Sequence, residues 1–97
     1  MATDSSSIRK EIDEGLGSLG RIRVVAELAK DPERMLTVYA IAAVTHLKRE
    51  DVKANLTRLV AIGWVKKYKF VPVKYQINLK NDAVLKLVNF LRTTGYL

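Results

Sequence analysis

Between Leu36 and Val65 the apolar positions change their spacing, and each change marks an element. Ile41 and Ala42 begin an apolar face that runs to Thr45, and Thr37 before it is a residue type that caps helix starts. From Arg49 to Ile62, Val52, Leu56 and Leu59 recur at i, i+4 and i+7, one stripe of a second helix. Gly63 ends that stripe, and Trp64-Val65 opens an extended run. The few residues between the two patterns suit no helix interior. Leu47 among them is placed to plug the angle between the helices, and Ala42 is small where two steeply crossing helices must come close.

The flanking pattern completes a small domain. Ser18 is placed to cap a helix reaching about Lys30, with Leu19, Ile22, Val25, Ala26 and Ala29 inward and Val24 and Leu28 widening the stripe; Asp31-Pro32 stops it. Arg21 and Arg23 fall on its solvent side. Residues 33–36 form a connector with room for one extended pairing to the strands that follow. Beyond Gly63, Val65, Lys67 and Lys69 alternate with Trp64, Lys66, Tyr68 and Phe70, and Tyr75, Ile77 and Leu79 alternate with Lys74, Gln76 and Asn78, a two-stranded hairpin. Its tip, Phe70-Val71-Pro72-Val73, is apolar, which fits a rest on the chain's own core, a partner contact or a wedge into a minor groove. Asn81 or Asp82 caps a last helix to about Thr94, ended by Gly95. Its apolar arc of Val84, Leu85, Leu87, Val88 and Leu91, with Phe90 beside it, is wider than one small domain covers. At the other end, residues 1–17 read as a flexible extension. A short helix on Ile8, Ile12 and Leu16 is weakened by Gly15 and Gly17, and Glu11, Asp13 and Glu14 look like a solvated face.

Charge changes this picture more than composition does. The 97 residues suffice for one domain, and 48% apolar residues argue against wholesale disorder. The formal charge of +7 is segregated: residues 1–45 sum to −1, residues 46–80 to +7 and residues 81–97 to +1. The excess sits on the second helix of the central pair and on the hairpin, which favours a polyanionic partner. With no cysteine, disulfides, thiolate catalysis and cysteine metal sites are excluded. One histidine in a turn, and no glycine-rich phosphate loop or metal-ligand cluster, leave no expectation of an enzyme, a cofactor or a small-molecule ligand. No segment resembles a signal peptide or a membrane span, so a cytoplasmic protein is expected.

Counting Val38 as the first position of a helix-turn-helix, Ala42 is the small fifth residue, and Ile41, Leu47 and Val52 are the apolar fourth, tenth and fifteenth. His46 stands at the ninth, where glycine is usual, and Thr45 at the eighth, usually apolar; histidine tolerates positive φ. With the hairpin that follows, and above all the string LVAIGWVKKY, residues 18–80 resemble the winged helix-turn-helix superfamily, especially small archaeal regulators of the ArsR, MarR and PadR type. The resemblance implies a mainly α fold with a small β-hairpin wing. It also implies a homodimeric double-stranded DNA-binding regulator of transcription, with helix 49–62 in the major groove and wing 64–79 on the backbone.

The residues expected at DNA are Lys48, Arg49, Glu50, Lys53, Ala54, Thr57 and Arg58 on that helix and its approach, and Lys66, Lys67, Lys69 and Lys74 on the wing. Asn55 flanks the buried stripe and reads as a packing or capping residue. The terminal helix, residues 81–97, is where the resembled families commonly pair two protomers, here through Leu87, Phe90 and Leu91. The other class of function is a winged helix used for protein interaction within a larger assembly, to which the acidic Glu50-Asp51 and the apolar wing tip point.

Overall fold

The computed structural model describes Glu11 and residues 16–97. In chain order these form α1 (Leu19–Ala29), α2 (Val38–Thr45), α3 (Arg49–Ala61), β1 (Val65–Tyr68), β2 (Lys74–Ile77) and α4 (Asp82–Thr93). The expectations for residues 1–10 and 12–15, including the helix on Ile8 and Ile12, lie outside the described residues.

Three helices begin on the residue types that their sequence promised. The Ser18 hydroxyl accepts from the Arg21 N–H, the Thr37 hydroxyl from the Ala40 N–H and the Asn81 side chain from the Val84 N–H, each at 3.1 Å. Each bond satisfies a first-turn donor that has no partner within its helix. Asn81, not Asp82, is thus the last cap. The start of α3 is different, since its capping residue Lys48 makes no side-chain bond there and Glu50 and Asp51 occupy the first turn.

Between α2 and α3 the chain turns on His46, held at φ 62°, ψ 21° with its N–H donated to the Ala42 carbonyl at 2.9 Å. That left-handed conformation costs an L residue about 1–2 kcal/mol, against about 0.5–1 kcal/mol that glycine forfeits in chain entropy. His46→Gly should therefore stabilise the fold by a few tenths to about 1 kcal/mol, raising the thermal midpoint by up to about 4–8 °C. An unchanged or lower midpoint would show that the turn carries no such strain. At the other end of α3, Gly63 at φ 80° lets the chain reverse, and the Trp64 N–H reaches back to the Leu59 carbonyl at 2.9 Å.

This reversal delivers Trp64 into the centre of the molecule. Its ring is fully buried, together with Val24, Val25 and Leu28 of α1, Ile41 of α2, Val52, Leu56 and Leu59 of α3, and Val84 and Val88 of α4. The hairpin is antiparallel, pairing Val65 with Ile77, Lys66 with Gln76, Lys67 with Tyr75 and Tyr68 with Lys74. The expected extended pairing of the connector is present, as Leu36 and Tyr75 exchange both backbone bonds at 2.8 and 2.7 Å. The wing is also fastened by Asn78 Nδ2 donating to the Gly63 carbonyl at 2.8 Å.

Several side chains sit elsewhere than the pattern suggested. Leu19 is 63% exposed instead of inward, and Leu16 packs on the core at that end. Arg21 is half-buried, with its Nε donating to Asn55 Oδ1 at 3.1 Å, so Asn55 does serve packing. Asn55 also lies against Gly20, where any added Cβ would come within 3.4 Å of Asn55 and 3.7 Å of Leu47. Glu11 belongs to no solvated face: its carboxylate accepts from the buried Trp64 Nε1 and from Asn81 Nδ2. Glu27, unremarked in the sequence, is buried and meets Lys30 at 3.0 Å and Arg34 at 3.2 Å.

On α4, Val84, Val88 and Leu91 turn inward and Leu87 is half-buried against the core, whereas Leu85 and Phe90 face outward. Leu91, expected with Leu87 and Phe90 in or beside a protomer contact, is 6% exposed and packs within its own chain.

Candidate nucleic-acid interface

Burial of the Val52, Leu56 and Leu59 stripe fixes the rotation of α3, and the opposite side follows from it. Arg49, Glu50, Lys53, Ala54, Thr57 and Arg58 are all exposed, as is Lys48 just before the helix. The Thr57 hydroxyl donates to the Lys53 carbonyl at 2.9 Å, which leaves its lone pairs to accept from a ligand. Ala54 keeps the middle of this side low, so a large surface can approach the backbone closely.

The wing lysines divide between two faces of the hairpin. Lys67 lies opposite Tyr75, on the face that turns toward α3. Lys66 and Lys74 pair with Gln76 and Tyr68 on the other face and are half-buried, while Lys69 is exposed beyond the last pair. Between the wing and α3 runs an open groove of about 700 Å³, lined among others by Tyr39, Arg49, Glu50, Lys53, Lys67 and Pro72. Of the expected contact residues, the structure thus gathers Arg49, Glu50, Lys53 and Lys67 around one groove, three cations about one carboxylate. Lys48, Ala54, Thr57, Arg58, Lys66, Lys69 and Lys74 lie outside that lining.

Tyr39 is the residue that sequence reading missed. It stands exposed in the first turn of α2, and the Arg49 guanidinium sits 5.0 Å from its ring centroid. At an exposed site such a contact is worth about 0.5–1 kcal/mol, enough to favour one orientation of a long side chain. The signal available was an aromatic residue two positions after the helix cap, on the side of a short helix away from Ile41.

Electrostatically the region is mainly positive, its carboxylates being Glu50 and Asp51 at the start of α3. No acidic residue occurs between Asp51 and Asp82, while that interval holds seven lysines and arginines. Among the described residues, no group of His, Asp or Glu side chains is placed to hold a metal ion, and no helix is long and apolar enough to cross a membrane.

The fold has a close solved counterpart. It superposes with a TM-score of 0.68 on the solution NMR structure of a homodimeric winged helix-turn-helix DNA-binding domain from Mycobacterium bovis, described as a possible ArsR-family transcriptional regulator. The match covers 94% of this chain and 83% of that one at 20% identity. No protein-family model matches the sequence, and no curated protein matches it. At that identity the likeness establishes the fold: among the described residues, four helices and a two-stranded wing in the winged helix-turn-helix arrangement that the sequence implied.

Proposed function

We propose that the protein binds double-stranded DNA as a homodimeric regulator of transcription, with α3 in the major groove and the wing along the backbone. The observation that carries this reading is the acid-free basic stretch from residue 52 to residue 81, which runs through α3 and the wing and brings Lys53 and Lys67 beside Arg49 at one groove. A duplex offers what that surface lacks, a dense row of negative charge beside a groove wide enough for a helix. The M. bovis domain of the same fold is itself a homodimeric DNA-binding domain, which supports both parts of the reading. The direct test is fluorescence anisotropy on an arbitrary duplex at low and high salt. Binding that is absent at low salt overturns the reading in favour of a protein-interaction module.

Within this function the wing supplies affinity without choosing sequence. Lysine ammonium groups on flexible stems suit phosphate oxygens better than base edges. Lys67 and Lys69 are the exposed pair, so changing both to alanine should weaken binding to every duplex alike. The slope of log K against log salt should flatten by about one unit for each phosphate no longer neutralised. Weakening confined to one sequence would make the wing a reader of bases. The proposed dimer contact is the side of α4 that carries Phe90 and Leu87, with Leu91 supporting them from within; the exposure of Phe90 supports it.

A further inference from the structure

We propose that the tip of the wing is an apolar wedge that enters the minor groove and opens a base step, so that the protein bends the duplex it binds. This rests on the duplex-binding reading above and adds an action to it. The residue that performs it is Val71, which is fully exposed. It lies beyond Tyr68 and Lys74, the last pair of the hairpin ladder.

The tip serves the chain's own core only in part. Val73 packs on the core cluster, in keeping with a rest on the chain's own core, whereas Phe70 and Val71 are exposed. Yet the tip is held firmly from behind. The Phe70 ring stacks on Tyr68 at 5.7 Å between centroids and 13° between planes. The Tyr68 hydroxyl donates to Gln76 Oε1 at 2.8 Å, and Gln76 Nε2 donates to the Pro32 carbonyl at 3.0 Å. A wedge must be rooted in this way, because a loose apolar loop would fold away before a base step opened.

Charge selects the occupant. Lys67 and Lys69 precede the tip and Lys74 follows it, with no carboxylate in the sequence between Asp51 and Asp82. An apolar point between cations matches the minor groove, where base steps that a wedge can unstack lie between two rows of phosphates. Direction agrees, since Pro72 and Val73 line the same groove as Arg49 and Lys53, so the tip stands on the side that α3 presents. Apolar side chains inserted at base steps kink duplexes by about 20–90°, most readily at flexible pyrimidine–purine steps.

The test uses the full chain and a duplex of about thirty base pairs with a dye at each end and 2-aminopurine at central TA steps. Binding of the parent protein should raise both the energy transfer between the ends and the 2-aminopurine emission. Val71→Ser changes no packed atom, so it should hold the duplex with at most about tenfold lower affinity through the remaining phosphate contacts, with both signals returned to those of free DNA. If the parent binds and neither signal moves, or if Val71→Ser bends the duplex as the parent does, the wedge is overturned and the tip is left to a protein partner. If anisotropy detects no binding by the parent, the duplex reading falls and the wedge falls with it.

Discussion

Replacing Arg49 and Lys53 together by glutamate abolishes duplex binding while leaving the thermal midpoint within a few degrees of the parent. The expectation follows from where the two residues stand. Both are exposed, both line the groove between α3 and the wing, and neither belongs to the Val52, Leu56 and Leu59 stripe that anchors the helix. Each replacement reverses a charge at the surface proposed to meet phosphate, so the chain would lose attraction and gain repulsion there. With on the order of four phosphate contacts per protomer, the slope of log K against log salt should be near −4 for the parent. Contacts to base edges would add about 1–3 kcal/mol each and would vary with sequence.

Glu50 sharpens the result, because it shares the groove and opposes phosphate. Glu50→Gln should tighten binding to arbitrary duplex. If it instead destroys binding to a selected site, Glu50 is accepting from a cytosine amine. A double glutamate protein that binds as the parent does would remove α3 from the interface and return the fold to a role in protein interaction.

Phe90→Asp is expected to turn a dimer into monomers. Phe90 is 62% exposed on α4, so the change disturbs little within one chain. Surface replacements of this kind usually cost within about 0.5 kcal/mol of fold stability. In an interface, by contrast, a central aromatic anchor is worth about 2 kcal/mol or more, and a buried carboxylate in its place adds a desolvation cost. Sedimentation equilibrium should show the dissociation constant of the dimer rising by at least about thirtyfold. Binding to duplexes with two half-sites should fall with it, since two recognition helices about one helical turn apart are what such a site requires. A parent protein that sediments as a monomer at tens of micromolar sinks this proposal without touching the interface proposed for α3.

Much of this molecule is local and could be read from its residues. Helix starts at Ser18, Thr37 and Asn81, the turn at His46 and the reversal at Gly63 depend on groups within five residues of one another. The stripe on α3 and the alternation in the hairpin are likewise periodic signals carried by near neighbours, and with them comes the exposed side of α3 by elimination. The segregation of positive charge is a property of the sequence alone.

What the tertiary structure decided is how each element is rotated and which distant groups then meet. A wide apolar arc does not say which of its members faces the core, because neighbouring elements choose. Hence Leu91 turned inward and Phe90 outward on α4, and Leu16 took the packing position expected of Leu19. Hairpin register alone sent Lys67 toward α3 and Lys66 and Lys74 away from it. Arg49 beside Tyr39, Glu11 beneath Trp64 and the buried Glu27 against Arg34 are contacts between residues on separate turns or segments. Such pairings depend on the angle at which elements pack, and that angle is set by the whole core, to which no single stretch of sequence holds the answer.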